Sequence, residues 1–270
     1  MVLLIKNEKH YITTMENLKI TIIQPDIIWE NITANLEKYS RLIGDVIQPD
    51  LIVLPEMFTT GFSMNPEKHK EPMNGPTISW MKNIAKEKDA SVVGSLIVEE
   101  NGLIYNRAVW VFPDGEVKSY DKRHLYTMGK EHLYYEAGRS KTIIEYKGWK
   151  FCPLICYDLR FPVWARNAED YDVLIYMANW PSPRHHVWKN LLVARAIENQ
   201  CYCVGINRSG SDGAGLSYKG NSACVSPKGF ADFMPEEESV QTFEISYSDL
   251  HKFRKSFPLL DDKDSFIIEI

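Results

Sequence analysis

Along this chain, short apolar runs rich in branched residues alternate with stretches whose apolar positions recur at helical spacing. LKITIIQ, DLIVLPE, ASVVGSLIV, NRAVWVF, WKFCPLICYD, DVLIYMANW, CYCVGIN and NSACVSP each read as a strand. Asn31 has the side chain of an N-cap, and Ile32, Leu36, Tyr39, Ile43 and Val46 follow it along one helix face. Residues 77–89 repeat that pattern with Ile78, Met81, Ile84 and Ala85. RHHVWKNLLVARAIENQ predicts a third helix with Trp188, Leu191, Leu192 and Ile197 as its apolar side. Strands alternating with helices predict an α/β fold. Within it, NRAVWVF and EVKSYDK, joined through Asp114-Gly115, predict a hairpin.

No repeat, low-complexity linker or charge block interrupts the pattern, which therefore predicts one domain over residues 15–270. Residues 1–14 are expected to be an extension outside the fold, because Met15 directly precedes the first regular strand. The opening MVLLIKNEKH turns charged too soon for a signal peptide, and no apolar run approaches the roughly 20 residues that cross a bilayer. A formal charge of −5 and a pI near 5.8 argue against a nucleic-acid binder, since phosphate binding leans on clustered Lys and Arg. Five cysteines without an export signal imply reduced thiols and a cytoplasmic protein. Zinc-like CxxC or His spacing is missing, so no metal is expected, and Cys201 and Cys203 read as small buried hydrophobes on one strand face. The acidic run PEEESV reads as a solvated turn.

Candidate chemistry sits where apolar runs end. In FCPLICYDLRFP a buried strand stops at Cys156, and Tyr157, Asp158, Arg160 and Pro162 follow. A thiol attacks as a thiolate, so it needs a nearby base or cation. DLIVLPEMFTTGF carries Glu56 to a strand end, where a carboxylate requires a partner and suits a general base. In EVKSYDKRHLYTMGKEHLYYEAG, Lys122 follows a strand and suits the stabilisation of an oxyanion, and Glu131 suits holding substrate or a proton. Taken singly, each such residue is more often a solvated strand tip.

Taken together, LPEMFTTGF, YDKRHLY, EHLYYEAG and LICYDLRFP, in that order, resemble the nitrilase superfamily of carbon–nitrogen hydrolases. The resemblance runs from about Leu18 onward and includes ANWP at 178–181 and ARAIENQ at 194–200. It implies an αββα four-layer sandwich with mixed sheets, no cofactor, and at least a homodimer. It also implies that Glu56 is the base, Lys122 the oxyanion stabiliser, Cys156 the nucleophile and Glu131 a supporting carboxylate. Cys152 matches no functional position. Lying an even number of residues before Cys156, it is expected on the same face but deeper in the core.

EMFTTGFSMN, YDKRHLYTMGKEHLYYEAG, CYDLRFPVWARN, ANWPSPR and the closing FRKSFPLLDDKDSF are similar to bacterial omega-amidases. Those enzymes hydrolyse the terminal amide of 2-oxoglutaramate, 2-oxosuccinamate or succinamate. The implied partner is therefore a small amide with an anionic far end, held by cationic or hydrogen-bonding groups. Arg160 and Arg184 are the nearest candidates, although an Arg160 that pairs with a carboxylate to brace its loop is the favoured alternative. Phe62 and Trp180 are expected as pocket walls, with a place in the core the equal alternative for either, and the Tyr157 N–H is expected to join Lys122 at the oxyanion. Arg195 and Glu198 read as a structural ion pair, and His185 and His186 as helix-entry residues rather than ligands. The rival readings are an N-carbamoyl amide hydrolase, a nitrilase, and a binding protein that keeps the fold without turnover. A dinucleotide-binding fold would need GxGxxG after LKITIIQPD, and none follows.

Overall fold

The computed structural model describes residues 17–269, so the expected extension over 1–14 and the alternative start Met15 lie outside the described residues. Strand β1 (Leu18–Gln24) leads into helix α1 (Ile32–Gly44), β2 (Leu51–Val53), the single turn α2 (Pro66–His69) and α3 (Pro76–Lys88). A meander of β3 (Ser91–Glu100), β4 (Leu103–Val111) and β5 (Val117–Asp121) follows. Next come β6 (Ile144–Tyr146), β7 (Trp149–Ile155), α4 (Pro162–Ala165), β8 (Val173–Ala178), α5 (His185–Asn199) and β9 (Tyr202–Asn207). A short ribbon, β10 (Ser209–Ser211) and β11 (Ser217–Lys219), precedes β12 (Ala223–Val225), β13 (Ala231–Phe233), β14 (Ser239–Ile245) and α6 (Tyr247–Ser256).

These strands form two six-stranded mixed sheets, ordered β14-β1-β2-β3-β4-β5 and β13-β12-β9-β8-β7-β6. Each has three parallel strands, β1-β2-β3 in one and β7-β8-β9 in the other, extended on both sides by antiparallel ones. Alternation decides which side chains meet what. Ile23, Ile52, Leu54, Val92 and Val109 turn outward onto Tyr39 and Ile43 of α1 and Ile78, Met81 and Ile84 of α3. Ile20, Ile22, Leu51, Val53, Val93 and Trp110 turn inward and share a core with the second sheet. There Trp110 of β4 meets Phe151 of β7 with ring centroids 5.0 Å apart. Helix α5 covers the outer face of the second sheet so closely that a Cβ on Gly205 would lie 2.5 Å from Leu192 Cδ1. Two sheets back to back with helices outside make the four-layer α/β sandwich.

The expected helices and strands are present with small shifts at their ends. Asn31 caps α1, its Oδ1 accepting from Ala34 N at 3.1 Å. The expected hairpin is β4–β5, closed by Asp114 Oδ1 accepting from Glu116 N at 2.9 Å. One expected apolar face differs: Ile197 is 49% exposed, and Arg195 and Asn199 are buried instead. Most of their polar atoms have partners: Arg195 donates through its two terminal nitrogens to Leu159 O and Glu198 Oε1, leaving Nε unpaired, and Asn199 Oδ1 accepts from Asn167 N. Strands β6, β13 and β14 and helix α6 carry weak patterns and were not expected. Edge strand β14, for example, buries only Phe243 and Ile245. In the acidic run, Glu236 reaches Lys219 and Glu238 reaches Lys38 before the chain enters β14. Among the described residues no helix is long and apolar enough to cross a membrane.

Candidate active site

Chain segments leaving the ends of β2, β5, β7 and β8 bring Glu56, Lys122, Cys156 and Asn179 to the wall of one cavity of about 480 Å³. In parallel α/β sheets the carboxyl ends of strands are where ligands bind, because side chains there leave the core without leaving the rigid sheet. Glu131 joins them from a turn of 3₁₀-helix (Glu131–Leu133) entered through Lys130 at φ 61°.

Lys122 Nζ donates to Glu56 Oε1 at 2.7 Å and lies 2.9 Å from both Glu131 oxygens. All three side chains are buried. Asn106 of β4 ties the two carboxylates together, its Nδ2 donating to Glu56 Oε1 at 2.8 Å and Glu131 Oε1 at 3.1 Å. Ser95 Oγ donates to Asn106 Oδ1 and accepts from Met57 N, which fixes the amide orientation. Backbone N–H groups complete the set: Asn179 N donates to Glu56 Oε2 at 2.9 Å, and Tyr126 N to Glu131 Oε2 at 2.6 Å. A buried charge cluster is tolerable only when satisfied in this way.

The electrostatics follow. Burial alone would strip the Lys122 proton, but Glu131 and then Glu56 outweigh it and hold the lysine pKa far above its ordinary range. Burial, with repulsion from Glu56, pushes the Glu131 carboxyl up against the pull of Lys122. The cluster thus combines a permanent ammonium with two carboxylates, one of which binds a proton more readily than a free glutamate.

Cys156 follows β7 at φ 43°, a left-handed conformation uncommon for a residue with a side chain. Its Sγ lies 3.9 Å from Asn179 O, and of the five cysteines it alone is half-buried, the other four being buried. Burial of the sulfur, then the negative Glu56, push the thiol well above its ordinary pKa, and Lys122 opposes them. At rest the sulfur therefore keeps its proton, and attack requires a base beside it.

Cys152 is fully buried in the core against which Cys156 packs, as a deeper position requires, but the two thiols meet different charged groups. The charged neighbours of Cys152 are Lys141, Glu169 and Asp158, whereas those of Cys156 are Glu56 and Lys122. Strand β7 ends at Ile155, and the backbone turns left-handed at Cys156.

Of the expected wall residues, Phe62 lies under Lys122, with Nζ 5.1 Å from its ring centroid. Tyr157 packs edge-on against Tyr126 at 5.1 Å, and Trp180 packs on Trp188 at 5.7 Å. All three line the cavity. The bracing carboxylate favoured for Arg160 is absent among the described residues: its guanidinium lies 5.0 Å over Trp180, and the residue lines the cavity. Arg184 likewise lies 5.7 Å over Tyr126, so two guanidiniums line the cavity with no carboxylate partner among the described residues. Arg195 and Glu198 pair at 2.9 Å, and His185 opens α5 with Nδ1 2.9 Å from Ser182 O.

Sequence reasoning did not single out Asn106, Ser95 or Asn179 as site residues, nor Asp212 and Tyr218, which line the cavity and share a 2.7 Å hydrogen bond. Asn179 had a signal in its ANWP motif. Asn106 and Ser95 had none, because a polar residue inside an apolar strand is ordinary until its neighbours are known.

The description "carbon-nitrogen hydrolase" belongs to a family model that matches residues 19–255. The chain is 43% identical over 254 residues to the omega-amidase YafV of Escherichia coli strain K12, covering 93% of this chain and 99% of that relative. It is 36% identical over 251 residues to a 2-oxoglutaramate amidase of Bacillus subtilis strain 168, covering 90% and 96% respectively. A solved structure of XC1258 from Xanthomonas campestris, described as a CN-hydrolase superfamily protein with an arsenic adduct in the active site, matches with a TM-score of 0.92. Its identity is 41%, and the match covers 94% of this chain and all of that one.

Proposed function

This chain belongs to the carbon–nitrogen hydrolase family, and from that premise we propose that it is an omega-amidase. It hydrolyses the terminal amide of a short dicarboxylic acid monoamide, such as 2-oxoglutaramate, 2-oxosuccinamate or succinamate, to the dicarboxylate and ammonia. The reading is supported above all by one observation. A lysine clamped by two carboxylates lines the same cavity as the half-buried Cys156, and that cavity also carries two guanidiniums with no carboxylate partner among the described residues.

In the proposed reaction Glu56 takes the thiol proton as Cys156 Sγ bonds to the amide carbon. The carbonyl π pair moves onto oxygen, and the Lys122 ammonium and the Tyr157 N–H stabilise that oxyanion. The Tyr157 N–H suits this role because early N–H groups of a 3₁₀ turn have no acceptor within it. When the oxyanion collapses, the C–N bond breaks and Glu56 passes its proton to the departing ammonia, leaving a thioester. Water then gives a proton to Glu56, adds to the thioester carbon and displaces the thiolate, which recovers the proton. Amide plus water becomes acid plus ammonia with nothing left over. Glu131 keeps Lys122 charged and aimed. Arg160, with Arg184 beside it, holds the far carboxylate, and Phe62, Tyr157 and Trp180 wall the substrate. The protein is further proposed to act in the cytoplasm as at least a dimer, which light scattering on a sizing column tests.

Ammonia release should be measured over omega-amides, N-carbamoyl amino acids and nitriles. Rapid turnover of 2-oxoglutaramate or succinamate is expected. Rapid turnover of a carbamoyl compound with none of either omega-amide would replace this reading by a carbamoyl hydrolase. Labelling by an amide-mimicking thiol probe should disappear in Cys156→Ala, and equal labelling of the variant would remove the nucleophile assignment.

A further inference from the structure

Asp158 is fully buried two residues after Cys156, yet among the described residues its only basic contact is the half-buried His124. Its two oxygens accept four hydrogen bonds. Oδ2 takes Ile155 N at 3.0 Å and Tyr120 Oη at 2.7 Å. Oδ1 takes His124 N at 2.9 Å and His124 Nδ1 at 2.8 Å. Ile155 is the residue immediately before Cys156, while Tyr120 and His124 stand two positions before and two after Lys122. One carboxylate therefore grips the nucleophile's turn in one sheet and both flanks of the lysine in the other.

The surroundings stiffen this grip. Tyr120 Oη also accepts from Trp164 Nε1 at 3.0 Å and Arg123 N at 3.2 Å. The His124 ring stacks on Phe161, the residue that ends the Cys156 turn, with centroids 3.7 Å apart and planes 4° from parallel. A left-handed backbone at Cys156 persists only if the structure around it over-determines it, and the Asp158–Ile155 bond closes the loop that contains it.

Given the roles proposed for Cys156 and Lys122, we propose that Asp158 is a positioning residue: with Tyr120 and His124 it sets the separation of the sulfur from the lysine ammonium across the two sheets. It does not touch substrate and lies outside the cavity lining. A misplacement on the order of 1 Å between reacting groups costs roughly a hundredfold in rate, so the effect belongs in kcat rather than KM.

Asp158→Asn keeps the shape, but its amide nitrogen turns N–H groups toward donors that need an acceptor. On the amide that the parent hydrolyses best, kcat should fall about a hundredfold with KM changed less than about threefold. Tyr120→Phe removes one donor and should lower kcat about fivefold. His124→Ala should do the same, and His124→Asn, whose amide can still donate to Oδ1, should recover most of the loss. A purely structural role would lower thermal stability in all of these without that recovery and without sparing KM. A folded Asp158→Asn with parent kcat, or losses confined to KM, would overturn the proposal. If Asp158→Asn does not fold, the Tyr120 and His124 variants decide: unchanged kcat in both rejects it. Because the comparison is internal to one substrate, a wrong omega-amide assignment leaves the result readable.

Discussion

The floor and the mouth of the cavity are built on opposite terms. On the floor, the oxygens of Glu56 and Glu131 are already engaged by Lys122, Asn106 and backbone N–H groups. At the mouth, Arg160 and Arg184 rest on aromatic faces and no described carboxylate answers them, while Met128 is 82% exposed. A saturated network holds one geometry and resists change. Cations that lack a counter-charge leave that place to a ligand. The floor should therefore govern rate and stability, and the mouth should govern which substrate is held.

Removing the floor's cation is the severest way to break this division. Lys122→Met strands two buried carboxylates, so stability should fall by about 3–5 kcal/mol in denaturant unfolding. In the fraction that folds, kcat should fall roughly 10²–10³-fold through loss of the proposed oxyanion contact. A variant as stable as the parent would show that Lys122 does not compensate the two buried carboxylates. At the mouth, Arg160→Gln should lower kcat/KM for an anionic omega-amide about 10–100-fold, the loss of one charge-assisted hydrogen bond. Nearly all of that should appear in KM, and turnover of a neutral amide such as butyramide should be unaffected. A fall in kcat alone would move Arg160 to the floor.

The thiol sharpens the comparison through pH. Burial and Glu56 raise the Cys156 pKa, so the thiolate fraction should climb about tenfold per pH unit between about pH 6 and pH 9 without levelling. Alkylation by a neutral maleimide should follow the same slope. Because Lys122 opposes the rise, Lys122→Met should slow alkylation further at any given pH. A plateau near neutrality would mean a resting thiolate and no need for a base. The smallest effect is expected at Cys152. Cys152→Ala should leave kcat and KM within about twofold and cost on the order of 1 kcal/mol of stability, as for a small buried hydrophobe.

How far the chain could be read in advance depended on the range of the cause. The alternation of LKITIIQ and DLIVLPE and the helical spacing after Asn31 are local consequences of which faces are buried, and they are readable wherever burial is thorough. Edge strands β13 and β14 bury too little for any pattern. Helix α5 misled at Ile197 because Arg195 and Asn199 found polar partners in the core, which no local pattern encodes. Glu56, Lys122, Glu131 and Cys156 were selected by motif order, and their mutual distances were not available from it.

By itself, the sequence determined the alternation of strands and helices, the strand-end placement of the chemistry-bearing residues and the family to which the chain belongs, since all three are carried by residue order. Only the tertiary structure decided that Glu56 and Glu131 share one ammonium, that Asn106 joins them, that Arg160 lines the cavity with no bracing carboxylate among the described residues, and that Cys156 and Cys152 meet different charged groups. Each of these depends on two sheets packing face to face. Packing places residues such as Glu56 and Asn179, 123 positions apart, within hydrogen-bonding distance, and electrostatics at that range depends on separation in space rather than along the chain.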